Sequence, residues 1–254
     1  MKLTVTRQEL AAALLFASTD ESRFVLNGVL IECRDSAIAK PTLVATDGRR
    51  LAVIETIADQ DEGEREDRSL LFKAEFLKPL VALSKALGGK NNPWIRIENR
   101  AGSKQVQIEF VGSSCLVTVE DGALIEGEFP KWRQIVPSKK AEREPIHNLG
   151  INAESIGDFA KAAKLMESEN PIIQMHLVGK EKAIEVRICS LPTFYGIIMP
   201  CKPDESMEYQ PEFLQVSKIF PVPPPEAPEE KPIDVESKTE PEDPPHIKQG
   251  TGEE

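Results

Sequence analysis

An internal repeat constrains this chain more than any other feature. Asn92-Pro93 recurs as Asn170-Pro171, and Lys104-x-Val-x-Ile recurs 78 residues on as Lys182-x-Ile-x-Val. A shift of one more residue superimposes Leu77, Leu80, Val81 and Leu87 on Ile156, Phe159, Ala160 and Met166. Each copy reads as a helix followed by alternating strands. Such a unit has one apolar sheet face and a single covering helix, so it completes its core only against a neighbouring unit.

The same order occurs a third time, earlier in the chain. Thr6 and Glu9 form a capping box, and Leu10, Ala13, Leu14 and Ala17 share the i, i+3, i+4, i+7 face of a helix. The runs FVLNGVLIEC and PTLVATD then read as strands, and Asp47-Gly48 signals a two-residue hairpin into RRLAVIE. In the second unit Phe76, Leu80, Leu83 and Leu87 form the helical stripe and Gly88 the stop. Pro79 belongs in a first turn, which moves the predicted start of that helix toward Lys78. WIRIE, KQVQIEF and SCLVTVE follow as strands, with Val106, Ile108 and Phe110 alternating against Gln107 and Glu109. The predicted fold class is α+β, with helices on one side of antiparallel sheets.

Charge divides the chain at the end of the third unit. Of a formal net charge of −11, the segment 204–254 holds fourteen acids against four bases, so the repeat region is nearly neutral. Nine prolines lie between Pro221 and Pro245. A segment of that composition buries too little apolar surface to offset its ordering entropy, and the expectation is a disordered acidic tail. The start, MKLTVTRQEL, has no signal-peptide core and no apolar run reaches about 20 residues, which predicts a cytoplasmic protein without membrane contact. Cys33, Cys115, Cys189 and Cys201 form no CxxC pair and sit in apolar runs, as buried free thiols do. His147, His176 and His246 are scattered, and no metal or other cofactor is expected. With no P-loop, GxSxG or HExxH pattern, the chain does not read as an enzyme.

Four segments, SRFVLNGVLIE, LVATDGRRLAV, GEFPKWRQIVP and FYGIIMP, resemble the bacterial DNA polymerase III beta subunit, the beta sliding clamp, in order and spacing. The resemblance implies a DNA-clamp fold. Residues 1–137 resemble the clamp's middle domain, in two units of about 1–66 and 67–137. Residues 138–203 resemble the second half of its third domain, with 204–254 added as the tail.

On that resemblance an apolar groove for short peptides of the replicative polymerase and clamp loader would use Leu26, Thr46, Gly48, Arg49, Arg50, Leu51, Pro137, Ile197, Met199 and Pro200. Arg49 stands where the family usually has histidine. Duplex DNA would be held without sequence readout, through phosphates, by Arg7, Lys78, Lys85, Lys161 and Lys164. Rings of this family hold twelve units, which a three-unit chain reaches as a homo-tetramer. The implied function is a polymerase processivity factor. The alternative is a non-encircling, clamp-like adapter or decoy for the same peptides. Gln215–Phe220, QVSKIF, loosely resembles such a peptide within the chain's own tail.

Overall fold

A computed structural model describes residues 1–34, 39–58, 67–88, 94–138, 144–146 and 148–202. The expected disordered tail and His147 and His246 lie outside the described residues. Residues 1–205 form one compact unit.

The repeat is realised three times. The first unit runs β1 (Lys2–Thr6), α1 (Arg7–Leu14), β2 (Gly28–Cys33), β3 (Thr42–Thr46) and β4 (Arg50–Glu55). The second runs β5 (Arg68–Lys73), α2 (Ala74–Gly88), β6 (Trp94–Glu98), β7 (Val106–Phe110) and β8 (Leu116–Val119). The third has α3 (Ala153–Leu165), β9 (Ile173–His176), β10 (Ile184–Ile188) and β11 (Phe194–Ile198). The 78-residue offset carries Val106–Phe110 onto Ile184–Ile188 without remainder.

All strand pairs are antiparallel, in a four-stranded sheet β1-β6-β7-β8 and a seven-stranded sheet β5-β2-β3-β4-β11-β10-β9. The first two units exchange their leading strands. β1 pairs with β6, with Val5 opposite Ile95 and Leu3 opposite Ile97, while β5 pairs with β2, with Phe72 opposite Val29. The third unit joins the first through β11 and β4, with Leu51 opposite Ile197.

Period-two alternation sorts the seven-stranded sheet into two faces. Val29, Ile31, Leu43, Ala45, Ala52, Ile54, Phe194 and Ile198 belong to the main core with Leu10, Ala13, Leu77, Leu80 and Phe159 of the helices. Leu30, Val44, Leu51 and Ile197 belong to a second cluster, joined by Phe129 and Trp132 of the connector that follows β8.

Three local expectations are corrected. Helix α2 begins at Ala74 and contains Pro79 in its interior. Glu75 and Pro79 are both exposed, so the carbonyl that Pro79 leaves without a donor faces water. Its buried stripe is Leu77, Leu80 and Ser84, with Leu87 exposed. The 3-10 turn Glu21–Leu26 replaces the start of the expected first strand; the Asp20 carboxylate accepts from the Ser22 amide at its head. Of the cysteines, Cys33 is buried, Cys115 and Cys189 are half-buried and Cys201 is exposed.

Candidate peptide groove and helix faces

The junction between the first and third units fixes the geometry of the candidate groove. Phe16, Phe159 and Phe194 meet there, with ring centroids 4.8, 6.1 and 5.9 Å apart. Each such contact adds about 0.5–1.5 kcal/mol beyond the area it buries. Gly196 is the β11 residue over this cluster, and any Cβ there would overlap the Phe159 ring.

An ion-pair network lies beside the aromatics. The Arg50 guanidinium sits 5.5 Å from the Phe16 centroid, pairs with Asp47 at 3.0 Å and with Asp158 of α3, and donates to the Leu15 carbonyl. Asp158 also accepts from Lys161 Nζ at 2.7 Å. Burial works to raise the Asp158 carboxyl, but the hydrogen bonds and charges of Lys161 and Arg50 prevail and hold it below the ordinary range.

The hairpin between β3 and β4 is longer than the two residues expected. The last cross-strand pair is Thr46 with Leu51; Asp47, Gly48 and Arg49 make the loop, and Arg50 opens β4 without a β3 partner. The Asp47 carboxylate accepts from the amides of Arg49 and Arg50, Thr46 Oγ1 accepts from the Gly48 amide, and Gly48 takes a φ of 87°. The hairpin then receives the end of β11, since the Met199 amide donates to the Arg49 carbonyl at 2.8 Å.

Leu26, Thr46, Gly48, Arg49, Leu51, Ile197 and Met199 are thus drawn to one corner, with Pro200 next along the chain. The Leu26 side chain lies at the Gly48 backbone. Leu26, Thr46, Leu51 and Ile197 are buried, whereas Met199 is 38% exposed. Arg50 does not face this corner as an open guanidinium, being engaged with Asp47, Asp158 and Leu15. Pro137 is half-buried on the connector, whose Trp132 and Phe129 are the residues packed on the outer cluster.

Beside the hairpin is a polar cavity of about 340 Å3, lined among others by Asp20, Arg23, Asp47, Arg49, Arg50 and Lys78. A cleft of about 700 Å3 lies between the connector and the outer face of β2 and β5. The Arg133 guanidinium at its rim donates to both Glu32 carboxylate oxygens, at 3.0 and 2.7 Å, and stacks 4.1 Å from the Trp132 ring.

The helix cations take separate places. Arg7 opens α1, Lys78 and Lys85 are exposed on α2, and Lys164 is exposed on α3. Lys161 is on α3 and paired to Asp158. Helix α1 packs against both α2 and α3. Among the described residues no group of three His, Cys, Asp or Glu side chains could hold a metal ion, and no helix is long and apolar enough to cross a membrane.

Sequence reasoning missed Asp158, Phe24 and the connector aromatics. The Asp158-x-x-Lys161 spacing was the only signal for the first. Phe24, 58% exposed, stands beside Gly127 of the connector.

Comparison with known proteins follows the same lines. The family model described as DNA polymerase III beta subunit, central domain, matches residues 3–131. The beta sliding clamp of Chlamydia muridarum is 26% identical over 159 residues, covering 60% of this chain and 36% of the relative. This chain therefore spans little more than a third of that relative's length. The DNA polymerase III beta subunits of Thermotoga maritima and Caulobacter crescentus superimpose with TM-scores of 0.57 and 0.60 at 18% and 16% identity. Each superposition covers 80% of this chain and 66% of the other. Repeated helix-plus-strand units on antiparallel sheets are the DNA-clamp fold of these structures.

Proposed function

Because the chain belongs to the family of the DNA polymerase III beta subunit central domain, we propose that it acts as a sliding-clamp-type processivity factor. It contributes docking surfaces and no catalysis. One observation carries the reading: the Asp47–Arg49 loop of the first unit and the Ile197–Met199 end of the third meet at one corner, joined by β4–β11 pairing and the Met199–Arg49 hydrogen bond.

Such a corner suits a short peptide with a glutamine and leucine or phenylalanine anchors. Exposed Met199 supplies apolar contact, and the Arg49 side chain and loop backbone supply polar contact at the rim. Replicative polymerase and clamp-loader segments are the proposed occupants. Lys78, Lys85, Lys164 and Arg7, with Lys161 at the margin, would hold duplex DNA by phosphate attraction that is indifferent to sequence. Encirclement would need several copies in a ring. The expected location is the cytoplasm, with DNA.

The test is fluorescence anisotropy of a labelled Gln-Leu-Phe-type peptide titrated with the protein, its Met199→Ala variant and its Arg49→Ala variant. Saturable binding weakened about tenfold or more by Met199→Ala supports the groove. Binding that ignores both substitutions removes it.

A non-encircling adapter or decoy is the second reading. Both walls of the corner come from a single chain, so peptide capture needs no ring. Retention on nicked circular DNA, lost when the circle is cut, separates the processivity factor from the adapter.

A further inference from the structure

The third unit carries an interface that the first two have already satisfied. β6 of the second unit is covered by β1, and β5 by β2. The counterpart of β6 is β9: Ile95 and Ile97 stand opposite Phe110 and Ile108, as Ile173 and Met175 stand opposite Ile188 and Val186. β9 ends the seven-stranded sheet, with no strand on its outer side among the described residues.

The counterpart of β5 is the segment 148–152. Asn152 caps α3 by accepting from the Glu154 and Ser155 amides, as Thr6 caps α1. The isolated bridge Gly150–Cys201 repeats the bridge Phe72–Leu124, which fixes the segment's inner side in the same way. Its other side, where β5 meets β2, has no strand pairing among the described residues.

Burial records the difference. Leu3, Val5, Ile95 and Ile97 are fully buried between the first and second units. Their counterparts Leu149, Ile151, Ile173 and Met175 are only half-buried, and Ile172 beside them is 58% exposed. β9 reads Ile-Gln-Met-His and has neither the lysine nor the proline with which natural edges resist pairing.

We propose that two copies of this chain associate through their third units by exchanging these strands. The segment 148–152 of each copy pairs antiparallel with β9 of the other. Transfer of the β1–β6 register sets Ile151 opposite Ile173 of the second copy and Leu149 opposite its Met175. Each third unit presents both halves of the exchange, so the surface is complementary to itself about a two-fold axis. A foreign strand would cover one edge and leave the other open. That selects a second copy as the occupant, independently of any peptide bound at the Met199 corner.

The full chain in a Cys201→Ser background is the material for the test. Sedimentation velocity from about 1 to 100 μM should show a dimer that dissociates on dilution. Ile151→Asp combined with Ile173→Asp should weaken it about a hundred-fold or more, while Leu116→Asp on the β8 edge should leave it unchanged. Mixing one size-tagged copy carrying Leu149→Cys with another carrying Met175→Cys should give an inter-copy disulfide under mild oxidation. The register-shifted mixture of Leu149→Cys with Gln174→Cys should crosslink far less. A monomer throughout the range, an association broken by Leu116→Asp instead, or equal crosslinking in both registers would overturn the proposal. Crosslinking reads the register without any core substitution, so a poorly folded double variant does not obscure the result.

Discussion

Asp158→Ala should weaken the junction between the third unit and the first. In the folded chain the Asp158 carboxylate accepts from Arg50 and Lys161, and the Arg50 and Asp158 side chains are 15% and 13% exposed. Removing one partner of a fully buried pair costs roughly 3–5 kcal/mol, because the other charge is left desolvated. Arg50 keeps Asp47 and the Leu15 carbonyl, and water reaches it in part, so the expected loss is about 2 kcal/mol. For a unit of this size that lowers the melting temperature by roughly 4–8 °C.

Lys161→Ala supplies the contrast. Its side chain is 67% exposed, so the loss should stay below about 1 kcal/mol. The Asp158 carboxyl is held below its ordinary value of 3.8, so the folded state binds its proton less readily than the unfolded state. The stabilisation is therefore complete above the ordinary value and disappears as pH falls through the folded one. Urea titrations of the parent and both variants from neutral pH down to about pH 3 read both effects. A loss for Asp158→Ala no larger than for Lys161→Ala, or one that persists unchanged at the acid end, would refute the assignment of the junction to this pair.

Gly196→Ala should cost about 1–3 kcal/mol by forcing the Phe159 ring out of its place between Phe16 and Phe194, measurable by chemical denaturation. Leu26→Ala should lower stability by about 2 kcal/mol or more because the side chain is buried, whereas Met199→Ala should leave the denaturation midpoint nearly unchanged, which makes Met199 the cleaner probe of docking. Burial raises the Glu9 carboxyl above 4.5 despite hydrogen bonds from the Thr6 and Ile57 amides. The folded state thus holds that proton more tightly, and stability should decline as pH rises from 4.5 through the folded value; Glu9→Gln should remove that slope in thermal melts at a series of pH values.

The repeat was legible because helix and strand periods are local and the 78-residue offset needs no three-dimensional knowledge. Strand alternation in Val106–Phe110 and Ile184–Ile188 was read directly. The β4–β11 pairing was not legible, since both segments have the alternation of any half-buried strand and more than a hundred residues separate them. The same distance hid the inward turn of Arg50. Its neighbours Asp47 and Arg49 identify a hairpin corner, but its partner Asp158 lies 108 residues away. Pro79 misled because the cost of an interior proline, a lost hydrogen bond and a clash with the Glu75 carbonyl, is offset by the burial of Leu77 and Leu80 on the same helix, and that burial is set by tertiary packing. The groove residues were gathered by resemblance, and the structure brings most of them to one corner while Pro137 remains on the connector.

Backbone hydrogen exchange with and without a Gln-Leu-Phe-type peptide tests the central claim most directly. The account predicts that the peptide slows exchange at Gly48–Leu51 and at Ile197–Met199 together, in two segments far apart in sequence, and leaves β8 and β9 unchanged. Protection of only one segment, or of neither at saturating peptide, would contradict a docking corner built jointly by the first and third units.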